Sequence, residues 1–197
     1  MKDQINEVKR NCFWTLNNIR NFGHYLTEDL RKCLVKSLVL SKIDYCNALY
    51  IGISTSVLKK LQHVIENSLR FIYNIRDWST DLKPFYKKSH ILPIQLRINY
   101  KLCLLVHKSL NGTAPKYLQS LLKLYCEDDS KKSLRFHSDT RMLLRPNLRD
   151  TPSHRRCFSF NAPIVWNELP HKLRHTQSTD IFKKDLKTHY FLQIDNY

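Results

Sequence analysis

The stretch SVLKKLQHVIENSLRFI, residues 56–72, carries the clearest amphipathic pattern in the chain and is the strongest indication of a helical fold. Its apolar residues recur at steps of three and four, so they share one face of a helix. These residues are Leu58, Leu61, Ile65, Leu69 and Ile72. The polar residues fall on the opposite face, namely Lys59, Gln62, His63, Glu66, Asn67 and Arg70. The pattern predicts a helix that begins near Ser56 and packs one face against a core.

Two further helices are predicted upstream of this stretch. Residues 5–22 carry apolar side chains at helical spacing, and Gly23 follows where that helix would end. Thr27, followed by Glu28 and Asp29, is typical of an N-cap with acids in the first turn, so a second helix is predicted from there to about Ser41. The predicted inward positions are Ile5, Val8, Cys12, Leu16 and Ile19 in the first helix and Leu30, Cys33, Leu34 and Leu38 in the second.

Helices are also predicted downstream. A turn at residues 77–80 and a short helical stretch lead to residues 94–110, which are apolar nearly all round. Such a helix belongs at the centre of the core. Gly112 ends it, and Pro115 suits the first position of another helix that runs to about Tyr125.

The C-terminal end of the sequence and the composition complete an all-α (mainly) assignment. Helices are predicted from Phe158 to about Glu168 and from about Ser178 to Phe191, and the second carries Phe182, Leu186 and Tyr190 along one face. Only three of the 197 residues are glycine, which supplies few tight β-turns. The organisation expected is residues 1–76 and 77–126 as helical regions, 127–157 as a long basic loop and 158–197 as C-terminal helices.

The net charge points to a polyanionic partner. The chain carries 33 Lys and Arg against 17 Asp and Glu, and the excess is spread over its whole length. Nucleic acid is the commonest partner of such a surface, and an anionic membrane surface is second. No apolar run is long enough for a membrane helix, and the six cysteines form no Cys-x-x-Cys pair. An intracellular protein without a zinc site or another cofactor is therefore expected.

The long loop holds the strongest binding candidate. Residues 131–156 contain eight basic side chains against two acidic ones, and arginine outnumbers lysine six to two. Guanidinium groups match phosphate oxygens and stack on bases, so this composition favours nucleic acid. The alternative is that these arginines pair with acids on the helices. A second basic face is predicted on residues 94–110. The candidates are Lys131, Lys132, Arg135, Arg141, Arg145, Arg149, Arg155 and Arg156 in the loop and Arg97, Lys101 and Lys108 on the helix.

Three segments together resemble the region that follows the polymerase palm in reverse transcriptases of non-LTR (LINE-type) retrotransposons. The first is LVLSKIDYCNAL, residues 38–49, followed by Leu58, Leu61, Gln62 and Val64. The second is LPI, residues 92–94, leading through Arg97 and Lys101 to KSLNGTAPKYL, residues 108–118. The third is FSFNAPIVWNELP, residues 158–170, followed by FKKDLKTH, residues 182–189. Their order covers nearly the whole chain.

The resemblance implies a role in nucleic-acid binding without catalysis. It identifies residues 1–76 as thumb-like and the remainder as a C-terminal extension, which in an intact element would accompany a palm domain. A palm needs aspartates that hold divalent metals. The single Asp pair here, Asp128 and Asp129, precedes Ser130, Lys131 and Lys132 where an apolar strand should be. We therefore predict no catalytic residue, and a backbone of RNA or DNA as the partner.

Other candidate sites are weaker. His171 and His175 stand four residues apart, but a zinc site needs three or four ligands and none is nearby in sequence. Cys157 with His154 lacks an oxyanion donor. Trp166 is interpreted as a core residue, not a stacking platform.

The same resemblance predicts an apolar cut surface and leaves one competing function. In the family the thumb helices lean on the palm, so Phe13, Trp14, Leu16 and Phe22 are expected to be partly exposed and to drive self-association. The competing hypothesis is a helical protein-interaction domain that binds acidic partners.

Overall fold

The computed structural model describes residues 1–127, 140–147, 151 and 153–196. The prediction of a mainly all-α fold is confirmed, because these residues are overwhelmingly helical. Within them, strand-like pairing is confined to one antiparallel bridge between Leu124 and Leu143. None of the helices in the described ranges has both the length and the apolar character needed to cross a membrane.

The chain forms two compact units. The first comprises Met1–Arg97 together with Phe191–Tyr197, and the second comprises Ile98–Tyr190. The first unit contains helices α1 (Lys2–Asn21), α2 (Glu28–Leu34), α3 (Ser41–Asp44), α4 (Thr55–Tyr73) and α5 (Lys83–Ser89), with a π-helical segment (Val35–Leu40) between α2 and α3. Helix α1 packs against α4 and against the π-helical segment.

Helix α4 confirms the pattern that predicted it. All five predicted inward residues, Leu58, Leu61, Ile65, Leu69 and Ile72, are buried. The prediction was wrong for Asn67, which is buried and not exposed. Its amide donates to the carbonyl of His63 at 2.8 Å, so the polar group is satisfied inside the helix and the side chain tolerates burial.

The helical run from residue 28 to 44 buries a different face from the one predicted. Thr27 caps it as expected, since its hydroxyl accepts from the Leu30 amide at 3.4 Å. Leu30, Cys33 and Leu38 are exposed, and the buried positions are Val35, Val39, Leu40 and Ile43. The segment carries two apolar stripes, and the wider π turns change the register along the helix, so the second stripe faces α1 and α4.

An apolar groove of about 500 Å³ includes Leu34 and Leu38, which belong to the apolar stripe that is not buried. Trp14, Phe22 and Leu38 line it and are exposed, and the exposure of Trp14 and Phe22 was predicted for the cut surface. Leu16 was wrongly assigned to that surface, because it is fully buried in the interface of α1 with its neighbours.

The second unit holds most of the remaining helices. Helix α6 (Ile94–Leu110) begins in the first unit and continues into the second, followed by α7 (Lys116–Gln119), α8 (Phe158–Asn167), α9 (His171–Arg174) and α10 (Thr179–Leu192). The helix predicted from Pro115 to Tyr125 was too long. Residues 123–125 instead pair with 142–144, and the Tyr125 amide donates to the Met142 carbonyl at 2.8 Å. Residues 142–144 of the predicted loop are therefore extended.

The core of the second unit forms around Trp166 and Phe182. Both are fully buried, and their rings lie 5.7 Å apart, so the assignment of Trp166 to the core is confirmed. The predicted face of α10 is confirmed as well, with Phe182, Leu186 and Tyr190 inside. Cys103 of α6 is buried, and burial raises the pKa of its thiol to about 12, so it behaves as a small hydrophobe.

Candidate nucleic-acid interface

The basic loop predicted from the sequence is described only in part. Lys131, Lys132, Arg135 and Arg149 lie outside the described residues, as do Asp128 and Asp129. Arg155 and Arg156 lie on a short 3-10 turn (His154–Arg156) and are exposed.

Arg141 and Arg145 of the same loop have partners inside the second unit. The Arg141 guanidinium donates to the Asn111 side-chain oxygen at 2.8 Å. The Arg145 guanidinium lies over the Phe160 ring, 5.0 Å from its centroid. These two contacts help to order the loop, although their partners are an amide and a ring and not the acids that the alternative expected.

The predicted basic face of α6 is divided in its roles. Arg97 forms a bidentate pair with Asp44, in which its Nε donates to Oδ1 at 2.8 Å and its Nη2 donates to Oδ2. The two side chains are only 14% and 31% exposed, so this pair belongs to the framework of the first unit. Lys101 and Lys108 are half-buried.

Residues of the third resembling segment hold residues 141–143 in place. The Trp166 indole donates to the Arg141 carbonyl at 2.7 Å. The Asn167 amide accepts from the Leu143 amide at 3.0 Å and donates to the Leu143 carbonyl at 2.8 Å, which imitates a strand partner. These side chains anchor the described end of the basic loop, so their role is structural.

A buried polar network continues from Asn111. His107 is fully buried, stacks on Phe182 with a centroid distance of 4.1 Å, and its Nε2 lies 2.8 Å from the Thr176 carbonyl. With the proton on Nε2, His107 donates to that carbonyl. Desolvation lowers the pKa of His107, and the nearby Arg141 charge acts in the same direction.

Four arginines of the first unit line one cavity. A cavity of about 720 Å³ is lined by side chains from the end of α1, from α2, from α4 and from the segment that follows α4. We call it the arginine cavity. Its polar lining comprises Arg20, His24, Arg31, Asn67, Arg70, Asn74 and Arg76, and Trp78 stands with them.

Arg70 and Arg31 are fixed by backbone contacts. Arg70 Nη2 donates to the Trp78 carbonyl at 3.1 Å, and the guanidinium lies 4.7 Å from the Trp78 ring centroid. Arg31 Nη1 donates to the Phe71 carbonyl at 3.4 Å. In each of the two residues Nε is buried and has no hydrogen-bond partner among the described residues. The two side chains are thus positioned, yet keep unused donor capacity.

Two local backbone features create the cavity. Gly23 lies where a Cβ would come within 2.9 Å of the Phe71 ring, so glycine permits the end of α1 to approach α4 closely. Asn74 takes a left-handed conformation with φ of 53° and ends α4. The Ile75 amide then donates to the Arg70 carbonyl at 2.9 Å, which turns the chain so that Arg76 and Trp78 line the cavity with Arg70.

The cavity is electropositive. None of the described side chains that line it is acidic. The Asp77 carboxylate is nearby, and hydrogen bonds from Ser79, aided by the Arg70 charge, lower its pKa. Desolvation lowers the pKa of Arg20, but a guanidinium remains charged at neutral pH. Four like charges around one concavity concentrate anions there.

This site was not predictable from any single stretch of sequence, because its four arginines come from three helices and a connecting segment. No motif unites residues 20, 31, 70 and 76, and Arg70 was assigned only to an outward face. The available signal was the predicted turn at 77–80 directly after α4, which the Asp77 and Ser79 contact at 2.7 Å confirms.

The remaining candidates show no built site. His171 and His175 stack with ring centroids 3.9 Å apart, and no cluster of three or more His, Cys, Asp or Glu side chains suited to a metal occurs in the described ranges. Cys157 is exposed and lies 3.5 Å from the Ser153 carbonyl.

Comparisons of the chain with protein-family models, with curated proteins and with solved structures find no match.

Proposed function

We propose that the chain is a non-catalytic C-terminal part of a non-LTR retrotransposon reverse transcriptase, an RNA-directed DNA polymerase, and that it binds the phosphate backbone of RNA or DNA. The observation that carries the binding proposal is the arginine cavity, where four guanidinium groups meet without an acidic lining side chain among the described residues. The order of the three resembling segments supports the family, and the net charge of +16 supports a polyanionic partner.

Salt dependence of binding tests this proposal. Each phosphate contact releases counterions, so the logarithm of affinity falls with the logarithm of salt by about 0.7 per contact on a single strand. We expect a slope of about −3 or steeper for the full chain and a fluorescently labelled RNA, since four contacts in the arginine cavity supply that much. An affinity that does not change with salt would contradict the proposal.

The non-catalytic part has its own test. We expect no incorporation of deoxynucleotides on a primed RNA template, because the sequence carries no palm-like Asp pair in a strand context. Incorporation by the purified chain that stops when divalent metal is chelated would refute it.

A second candidate is a helical protein-interaction domain that binds acidic partners, and the apolar groove beside α1 favours it. Trp14 and Phe22 are 68% and 65% exposed there, and Lys42 stands at the rim. This candidate predicts little salt dependence of RNA affinity. It also predicts that Trp14→Ser with Phe22→Ser abolishes partner binding and reduces self-association in light scattering, while RNA binding stays unchanged.

A further inference from the structure

We infer that the arginine cavity holds one nucleotide unit of a single-stranded nucleic acid, with its phosphodiester among the arginines and its base stacked on Trp78. The inference rests on the proposed nucleic-acid binding and adds to it the size of the bound unit, a contact for the base and a preference for single strands.

The arginine side chains of the cavity are the reason to expect a bound phosphodiester. Arg31 and Arg70 each use one Nη atom in a contact with a backbone carbonyl, which leaves further N–H donors on each positioned guanidinium group. A phosphate oxygen is the acceptor that guanidinium geometry matches best. Arg20 and Arg76 are exposed members of the same lining and add charge at its edge.

The Trp78 ring is the reason to expect a stacked base. Its side chain is 66% exposed, so most of the indole remains accessible to a ligand. The Arg70 guanidinium lies over the ring, and the Arg70 hydrogen bond to the Trp78 carbonyl fixes the backbone beneath it. A ring that is held in place and remains accessible is the usual platform for a base in single-strand binding.

The size and the strand preference follow from the same geometry. A cavity of about 720 Å³ matches a ligand of nucleotide size. In a duplex the bases are stacked inside the helix and are not available to Trp78, whereas the phosphates remain available to the arginines. Stacking therefore adds affinity only for a single strand.

Tryptophan fluorescence of the full chain provides a direct readout. Of the three tryptophans Trp166 is fully buried and Trp14 lies in the apolar groove, so Trp14→Phe leaves Trp78 as the exposed emitter. In this background an eight-residue oligouridylate is expected to quench the emission in parallel with binding measured by anisotropy. A blunt RNA duplex is expected to bind with little quenching. Unchanged emission at saturating oligouridylate would overturn the inference.

Two sets of variants separate stacking from charge. Trp78→Leu is expected to weaken oligouridylate binding about ten-fold and to leave duplex binding unchanged. Arg20→Gln with Arg76→Gln removes two exposed cavity charges, and Lys2→Gln with Arg10→Gln removes two exposed charges from α1 outside the cavity. The cavity pair is expected to weaken binding and flatten the salt slope by about 1.4, clearly more than the α1 pair.

Arg70→Lys is a further check, because it keeps the charge but loses the planar group over Trp78. We expect weaker oligouridylate binding with circular dichroism unchanged. Inorganic phosphate as a competitor should displace the oligouridylate only at far higher concentration, since it offers no base.

The outcomes also separate this inference from the proposed function. If the wild-type chain binds RNA with a steep salt slope and every cavity variant behaves like the α1 pair, the inference falls, and the proposed nucleic-acid binding then rests on the net charge of +16 and not on the cavity. If the wild-type chain shows no salt-dependent binding, the proposed function falls and takes the inference with it.

Discussion

Arginine serves different ends in the two units. In the first unit Arg20, Arg31, Arg70 and Arg76 surround an open cavity that no described acidic side chain lines. In the second unit Arg174 is buried, and its Nη1 donates to the carbonyls of Asn167 and Leu169, each at 2.9 Å. The contacts of an arginine side chain with its neighbours, and not the number of arginines in a unit, therefore decide whether its charge is available to a ligand.

The largest effect on stability is expected at Arg174. It satisfies the Asn167 carbonyl at the end of α8, which the helix itself leaves open, and the Leu169 carbonyl just beyond the helix. A positive charge at this end of α8 also interacts favourably with the helix dipole. Arg174→Gln should lower the free energy of unfolding by about 3 kcal/mol in urea denaturation. Arg76→Gln, the exposed control from the arginine cavity, should change it by less than about 0.5 kcal/mol. Equal losses in the two variants would erase the contrast between the units.

The basic loop offers the next largest effect, now on binding. Changing Arg135, Arg141, Arg145 and Arg149 together to Gln should flatten the salt slope by roughly 3 if all four contact phosphate. Because Arg141 and Arg145 have partners in the second unit, we expect their pair of substitutions to flatten it less than the Arg135 and Arg149 pair. The two double variants, titrated against the same RNA, measure this. No change in either pair would remove the loop from the binding surface.

Arg97 lies in the first unit, yet like Arg174 it is largely buried and uses its guanidinium group in contacts within the fold. Arg97→Gln should cost about 1–2 kcal/mol of unfolding free energy, since it breaks a half-buried bidentate pair with Asp44. RNA affinity should stay unchanged. Lys101→Gln is the matched control, with little expected effect on stability. A loss of RNA affinity in Arg97→Gln would mean that this residue binds nucleic acid, as the predicted basic face required.

The smallest effect concerns His107, a neutral group among the cations of the second unit. Its pKa lies below the usual 6.5 because of desolvation, so below pH 6.5 the unfolded chain binds more protons than the folded one. Stability is therefore fully present above that pH and falls as the solution becomes more acidic. His189, whose pKa is also lowered by desolvation, contributes in the same direction.

Urea denaturation at pH 7.5 and pH 5.5 checks this, with buffers chosen on either side of the usual histidine pKa of about 6.5. His107→Gln should show a smaller difference between the two conditions than the wild-type chain. If the difference is unchanged, His107 titrates alike in both states.

The fold was predictable where one apolar stripe dominates, as in α4. It was not predictable in residues 28–44, where Leu30 and Leu38 form a second apolar stripe as plausible as that of Val35 and Val39. Only contacts with α1 and α4 decide between them, and such contacts are not local in sequence.

The candidate site was harder still to predict. The loop arginines were visible as a charge run in the sequence, but the arginine cavity depends on the close approach at Gly23 and on the left-handed Asn74. These features bring together residues up to 56 positions apart, from Arg20 to Arg76. A pattern along the sequence does not show that these residues are neighbours in the fold.

The π-helical segment has a consequence for changes in chain length. A π turn contains one residue more than an α turn, so the helical run from 28 to 44 carries a surplus residue. Ser37 suits that part, because it is exposed and its hydroxyl donates to the carbonyls of Cys33 at 3.0 Å and Leu34 at 3.3 Å.

Deleting Ser37 would close the run into a regular α-helix and leave Ile43 and Asp44 in place. The same deletion within α4 would rotate every later residue of that helix by about 100° and carry Arg70 away from Trp78. The first unit therefore tolerates the loss of a residue in one of its long helices and not in the other.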